Sequence, residues 1–242
     1  MANRTELLRE IKNELINAKD SPLYEYRVKS KYFPVIGEGN HNAKIMFIGE
    51  APGQNEALTG RPFCGAAGKI LDELLESIGI ARNEVYITNI VKDRPLNNRD
   101  PLPEEIAYYS PYLDRQIEII QPEIIATLGR FSMAYIMKKF GLETELESIS
   151  QIHGKVFNAQ TTYGKMKLHG QARGISVYGQ AEGLPVERNP APKTTIHPQV
   201  NPWSSGAWIK VIPLYHPAVA VYNVTSKDEL KKDFEVLKQF LK

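Results

Sequence analysis

Three stretches of this chain hold residue types suited to work on a planar heterocycle and its bond to a neighbouring group. The first, GEAPGQNEALTGRPFCGAAG at 49–68, carries two glutamates, Glu50 and Glu56, five glycines and one phenyl ring, Phe63. Glycines let backbone N–H groups approach a ligand closely, and a helix starting after Gly65 offers a partly positive end to a phosphate or a developing anion. Turns use glycine just as freely, so a purely structural loop is the competing reading. The second stretch has Asn89 near the end of the run EVYITNI and continues as VKDRPLNNRDPLPEE, which contains Asn98. A fixed amide offers one acceptor and two donors in a plane. It can therefore match one hydrogen-bonding edge and refuse the inverse, at on the order of 1–3 kcal/mol per unpaired group. An isolated asparagine also caps loops, and that reading stays open. The third, YHPAVAVYN at 215–223, sets His216 before a proline. A lone histidine is often structural, but one at the rim of a crevice can donate a hydrogen bond where charge develops. The apolar run Ala218, Val219, Ala220 and Val221 follows in a loop, where it suits a wedge pushed into stacked bases.

These groups matter only if the chain brings them together. Four apolar runs read as buried strands, AKIMFIG (43–49), EVYITNI (84–90), EIIATLG (123–129) and WIKVIPLYH (208–216), because a strand covered on both faces is continuously apolar. Between them lie helical patterns. Residues 65–79 space Ile70, Leu71, Leu74, Leu75 and Ile78 as one stripe, and 103–120 begins with Pro and two acids, as helix starts prefer. A further helix over 4–19 places Leu7, Leu8, Ile11, Leu15 and Ile16 on one face. Alternation of strand and helix implies a mainly parallel sheet of four strands in an α/β fold. Ligands then bind beyond the strands' carboxyl ends, which gathers the loops after Gly49, Ile90, Gly129 and Tyr215 into one crevice.

At 242 residues the chain is long enough for one domain, 1–242, with its own core. Between about 158 and 206 sustained periodicity stops, which marks an insertion too long for a plain connector. Its stretch KMKLHGQARG offers Lys165, Lys167 and Arg173 to a phosphate backbone or simply to solvent, and it also contains a second His-Pro pair, His197-Pro198, with no strand before it. A formal charge of +2 neither requires nor excludes a polyanionic partner. Cys64 is the sole cysteine, so no intrachain disulfide and no all-cysteine metal site can form. The charged, amphipathic start lacks the apolar core of a signal peptide, and no run is long enough to span a bilayer. A cytoplasmic location and no membrane association are expected.

Taken together, GEGNHNAKIMFIGEAPGQNE, TGRPFCGAAGKILDELLESIGI, VYITNIVKDRPLNNRDPLPEEI, QPEIIATLG and YHPAVAVYN resemble the uracil-DNA glycosylase superfamily, and most closely its iron-sulfur branch, family four. The resemblance covers about half the chain, in the family's order. It implies a three-layer α/β/α sandwich with a central four-stranded, mainly parallel sheet. It also implies a DNA repair enzyme that flips uracil from single- or double-stranded DNA and hydrolyses its N-glycosidic bond, releasing free uracil. Position by position, Glu50 and Ala51 resemble the pair that approaches base and sugar, and Glu56 a second important glutamate. Phe63 matches the ring that stacks on uracil, Asn89 the amide reading its edge, and Asn98 a further active-site asparagine. His216 matches the histidine that bonds uracil O2 as charge builds.

The departure is equally specific. The branch ligates a [4Fe-4S] cluster through four cysteines, and at two of those positions this chain has Asp93 and Ser110, while the N-terminal pair is absent from SPLYEYRVKSKYF. No cluster can be ligated, so no metal and no cofactor is expected. The surrounding loops are then expected to be held by Tyr24, Tyr26, Tyr32 and Phe33 with Tyr108 and Tyr109, and Cys64 to be a small packed residue. The KRRIH-like stretch of the adduct-forming branch is also missing, so no stable covalent adduct is expected. Two other readings remain: a non-catalytic DNA-binding member of the fold, and a glycosylase for hypoxanthine or xanthine. A monomer is expected, since one lesion requires no symmetry.

Overall fold

The computed structural model describes residues 3–161 and 207–240. In chain order the helices are α1 (Arg4–Asn17), α2 (Tyr24–Lys29), α3 (Gln54–Thr59), α4 (Ala66–Ser77), α5 (Pro103–Ile120), α6 (Arg130–Lys139), α7 (Ile149–Ile152), α8 (Ala218–Tyr222) and α9 (Lys227–Lys238). The strands are β1 (Glu38–Gly39), β2 (Ile45–Gly49), β3 (Tyr86–Asn89), β4 (Ile124–Leu128), β5 (Phe157–Gln160) and β6 (Trp208–Leu214).

Helix starts follow local chemistry. Asn3 caps α1 by accepting from Glu6 N at 2.9 Å, while the Glu6 carboxylate accepts from Asn3 N at 2.9 Å, so two of the helix's unpaired donors are satisfied reciprocally. At α5, Pro103 takes the first turn, where its missing N–H costs nothing.

The sheet order is β1-β3-β2-β4-β6-β5. Its four central strands are parallel, with Gly49 opposite Asn89 across β2 and β3 and Leu128 opposite Leu214 across β4 and β6. The expected parallel core is therefore present, but two antiparallel edge strands, β1 and β5, extend the sheet to six. Neither edge strand carries an apolar run: β1 is two residues long and β5 reads FNAQ. β5 also takes residues 157–160 into the sheet, which moves the start of the expected insertion past Gln160. The rest of that insertion, with Lys165, Lys167, Arg173 and His197, lies outside the described residues.

Side chains alternate between two cores. Met46, Ile48, Tyr86, Ile125, Ile209 and Val211 join α1, α5 and α6 on one face. Ile45, Phe47, Ile87, Ala126, Ile212 and Leu214 join α4, α8 and α9 on the other, making three layers. Every residue of β2 and β4 is buried; each large apolar side chain removed from water stabilises the fold by about 1.5–3 kcal/mol. This double burial holds the strand ends in fixed relation.

Candidate active site

A cavity of about 340 Å³ opens beyond the carboxyl ends of β2, β3 and β6. It is bordered by Glu50, Ala51, Glu56, Phe63, Asn89, Asn98, His216 and Ala218, so the residues singled out in three separate stretches meet in one slot. The strand ends bring them there, and small residues leave the room. A Cβ built on Gly49 would lie 2.3 Å from Asn89 Oδ1 and 2.8 Å from Phe63 Cζ. Any side chain at 49 would therefore displace either the amide or the ring. At the end of β4, Gly129 adopts φ +96°, and a Cβ there would press within 3.3 Å of His216 Cβ.

Asn89 is 2% exposed, and its Oδ1 has no hydrogen-bond partner among the described residues. An orphan acceptor of this kind costs on the order of 1–3 kcal/mol until a donor reaches it. His216 is enclosed by protein except where it borders the cavity. Burial pushes its imidazole pKa down to about 4, with the Glu56 carboxylate opposing, so the ring is neutral at physiological pH. The Ala218 main-chain N–H donates to His216 Nδ1 at 3.2 Å. Nδ1 is thus the unprotonated nitrogen, and Nε2 carries the hydrogen. The ring also packs against Phe63, centroid to centroid 5.5 Å at a tilt of 32°.

Phe63 is held in a left-handed conformation, φ 48°, that a bulky residue adopts only when its surroundings impose it. Two contacts do so. Glu56 Oε1 accepts from Cys64 N at 3.0 Å and from Gly65 N at 2.8 Å, pinning the segment directly after the ring. On the far side, α4 approaches so closely that a Cβ on Gly68 would sit 1.9 Å from the Phe63 carbonyl oxygen. Glu56 is therefore placed to position the ring, with one oxygen committed to the main chain. Cys64 is half-buried, its Sγ 3.2 Å from Thr59 Oγ1.

Glu50 differs from Glu56 because its carboxylate forms no hydrogen bond or ion pair among the described residues. Burial raises its pKa to about 7; Asp100 pushes it further up and Arg130 partly offsets this. It is a carboxyl group poised to change charge near neutrality. Asn98 is exposed at the mouth with φ 54°, and its Oδ1 accepts from Arg94 Nε at 2.8 Å. Arg94 in turn lies over the Tyr32 ring, 5.3 Å from its centroid. Sequence reasoning did not single out Arg94, although its position four residues before Asn98 hinted at such support.

The apolar run after His216 folds as α8. Ala218 borders the cavity, and Val219 and Val221 are exposed at 39% and 40%. Ala220 turns inward, 5% exposed, and packs with the α4 and α9 core. Tyr222, at the end of the same helix, is 89% exposed.

A sequence profile described as the uracil DNA glycosylase superfamily matches residues 36–240, almost the whole span that builds the sheet and the slot. The chain belongs to that superfamily. It is 40% identical over 233 residues to the Type-4 uracil-DNA glycosylase of Sulfurisphaera tokodaii, covering 96% of this chain and 84% of the relative. Against the Type-4 uracil-DNA glycosylase of Archaeoglobus fulgidus the identity is 39% over 230 residues, 95% of this chain and 91% of the relative. The enzyme of the same description from Saccharolobus solfataricus is 39% identical over 232 residues, 96% and 85% of the two chains.

Within the superfamily, the family-four resemblance raises the question of an iron-sulfur cluster, and the residues present do not fit one. The chain has a single cysteine, on a different loop. Asp93 is 1% exposed and paired with Arg27, whose Nη1 lies 3.0 and 3.2 Å from its two oxygens, and Tyr109 donates to Asp93 Oδ2 at 2.6 Å. Burial raises the Asp93 pKa, and the Tyr109 and Arg27 contacts counter it. Ser110 is buried on α5, next in sequence to Tyr109, with its side chain toward Tyr135. A guanidinium, a carboxylate and a phenol thus knit α2, the loop after β3 and α5 together. The aromatic packing expected there is only partly present. Tyr109 is fully buried and contacts Tyr108 edge-on at 5.1 Å, and Tyr26 meets Tyr32 at 5.9 Å. Phe33 departs from the expectation: it is 58% exposed, and the segment is held instead by its backbone N–H donating to Ala57 O at 2.8 Å.

Proposed function

We infer that this protein is a uracil-DNA glycosylase: it hydrolyses the N-glycosidic bond of uracil in DNA, releasing uracil and leaving an abasic site. The observation that carries this reading is the unpartnered Asn89 Oδ1, 2% exposed, in the same slot as Phe63 and the Nε2–H of His216. Uracil presents an N3–H donor beside its O4 acceptor, which would relieve the orphan acceptor and engage the amide donor. Cytosine presents the inverse edge and leaves both unpaired. A slot of this size takes one everted base, with Phe63 stacking on its face to offset the cost of leaving the helix.

In the reaction the C1′–N1 bond breaks and its electron pair passes to the base, leaving an oxocarbenium-like sugar and a uracil anion. The neutral His216 donates from Nε2 toward O2, where negative charge accumulates. Glu50, once ionised, faces the cationic sugar and accepts a proton from the water that adds to C1′. Glu56 holds the Phe63 segment, Ala51 lies against base and sugar, and Asn98 borders the mouth. Val219 and Val221, with Ala218 at their base, occupy the gap left in the stack. No step draws on a metal or cofactor. The protein acts as a monomer in the cytoplasm.

Oligonucleotides carrying uracil, hypoxanthine or xanthine, single- and double-stranded, test the reading side by side. Free uracil with abasic DNA is the expected product, at a rate that Asn89→Ala and His216→Ala both lower. Retarded migration without base release would mark a binding protein instead, and preferential release of hypoxanthine or xanthine would reassign the substrate.

A further inference from the structure

On the face of the sheet opposite the slot lies a lysine that the chemistry above does not use. Lys92 is fully buried. Its Nζ lies 2.6 Å from the Asn89 carbonyl oxygen, 2.6 Å from Gln116 Oε1, 2.8 Å from Thr88 Oγ1 and 3.5 Å from the Ile36 carbonyl oxygen. Such a group is costly to bury, so its place in the fold calls for a reason.

The sheet supplies one. Along β3, Thr88 and Asn89 point to opposite faces, Thr88 toward Gln116 of α5 and Asn89 toward the slot. Ile90 N donates to Gly49 O on β2, so the Asn89 carbonyl points the other way, toward the β1 edge. But β1 pairs only with Tyr86 and Ile87. The backbone oxygen of Asn89 has no strand beside it there, and the Lys92 ammonium occupies the gap. The network also has a defined polarity. Gln116 Nε2 donates to Ile36 O at 2.9 Å and to Tyr86 Oη at 3.1 Å, which turns Oε1 toward Lys92. The Thr88 hydroxyl donates to Ile36 O at 2.7 Å, which leaves its lone pair for the lysine. Three short acceptors thus face the three N–H groups of an ammonium, whereas a neutral amine would turn its lone pair on one of them. Burial lowers the Lys92 pKa and Asp114 opposes this; the acceptors favour the charged form.

We propose that Lys92 is a positioning residue for base recognition: from behind the sheet it stands in for a missing strand partner and fixes the peptide that carries the Asn89 amide. The inference rests on Asn89 reading the base, as set out above. A misdirected amide costs both the bound base and the transition state, since displacements near 1 Å at a reacting site reduce rates by about 100-fold.

The test uses the full chain with Lys92→Met, which keeps the stem and removes the donors, and the milder Thr88→Val, which removes one acceptor. Single-turnover uracil release, inhibition by free uracil and affinity for abasic-site DNA are measured with each melting temperature. Lys92→Met is expected to lose about 10–100-fold in rate, with a matching weakening of uracil inhibition and little change in abasic-DNA affinity. Thr88→Val follows in the same direction by a smaller factor. In an Asn89→Ala background, Lys92→Met adds less than about twofold, because residues acting through one contact are not additive. A lowered melting temperature with normal rate and normal uracil inhibition overturns the proposal, as does a full additive loss in the Asn89→Ala background. If Lys92→Met does not fold, the same readings on Thr88→Val decide. A wild-type protein that releases no uracil removes the underlying activity and this inference with it. An active wild type, an impaired Asn89→Ala and a normal Lys92→Met remove this inference alone.

Discussion

Replacing Glu50 with glutamine is expected to make the protein more stable and nearly inactive at the same pH. The Glu50 carboxyl is raised from 4.5 to about 7, mainly by burial and then by Asp100. Because the folded state holds this proton more tightly than the unfolded chain, the protonated group favours folding at low pH. That contribution disappears as pH rises from 4.5 through about 7. Glutamine is neutral throughout, so the variant should match the wild type near pH 4 and exceed it above pH 7. At about 1.36 kcal/mol per unit the shift corresponds to roughly 3 kcal/mol. The carboxyl is partly open to the slot, and solvent screening reduces this to about 1–2 kcal/mol. For a chain of this length that is about 3–6 °C in melting temperature. Thermal melts of both proteins at pH 4, 6 and 8, without DNA, measure the difference directly, and uracil release at pH 8 should fall by about 100-fold. A melting difference that stays flat with pH, or a variant less stable at pH 8, would refute the claim that the slot desolvates this carboxylate.

The wild-type rate should rise through about pH 7 as Glu50 ionises and lose that limb in Glu50→Gln, which a pH–rate profile checks. His216 should stay neutral down to about pH 4, visible by nitrogen NMR, and His216→Ala should lower the rate by about 100–1,000-fold. Its depressed pKa also means that stability present above 6.5 is lost as pH falls toward 4. Asp93→Ala leaves the Arg27 charge buried and unpaired, at about 3–5 kcal/mol, whereas replacing both with apolar residues should be near neutral in thermal melts. Gly68→Ala should displace the Phe63 carbonyl, 1.9 Å from the added methyl position, and lower uracil affinity more than melting temperature.

What could be read in the letters tracks how each element is buried. β2, β3, β4 and β6 are sandwiched between helix layers and show as apolar runs, whereas β1 and β5 lie at the edges and carry Gly, Glu, Asn and Gln. Asn89 and His216 were legible as neighbours because strand ends in such sheets converge by topology, whereas Phe63, between α3 and α4, was singled out by the family resemblance. The tilt of the rings and the tautomer of His216 were not, since both depend on main-chain groups that have no letter of their own. Two residues read less well for a shared reason. Lysine and arginine ordinarily mark surface, and nothing local signals that Lys92 and Arg27 are buried against acceptors supplied by distant segments. Ala220 illustrates the reverse: an apolar run read as one exposed unit folds as a helix and divides between core and rim.

The order in which the sheet is assembled also affects how the enzyme is made. When a ribosome has passed residue 160, β2, β3 and β4 exist, together with Glu50, Phe63 and Asn89. The strand that lies between β4 and β5, and the imidazole at its tip, are still to come. On the proposed role of His216, a nascent chain stalled there is expected to release bases far more slowly than the finished enzyme, so unfinished copies tethered near their own message pose little risk to it.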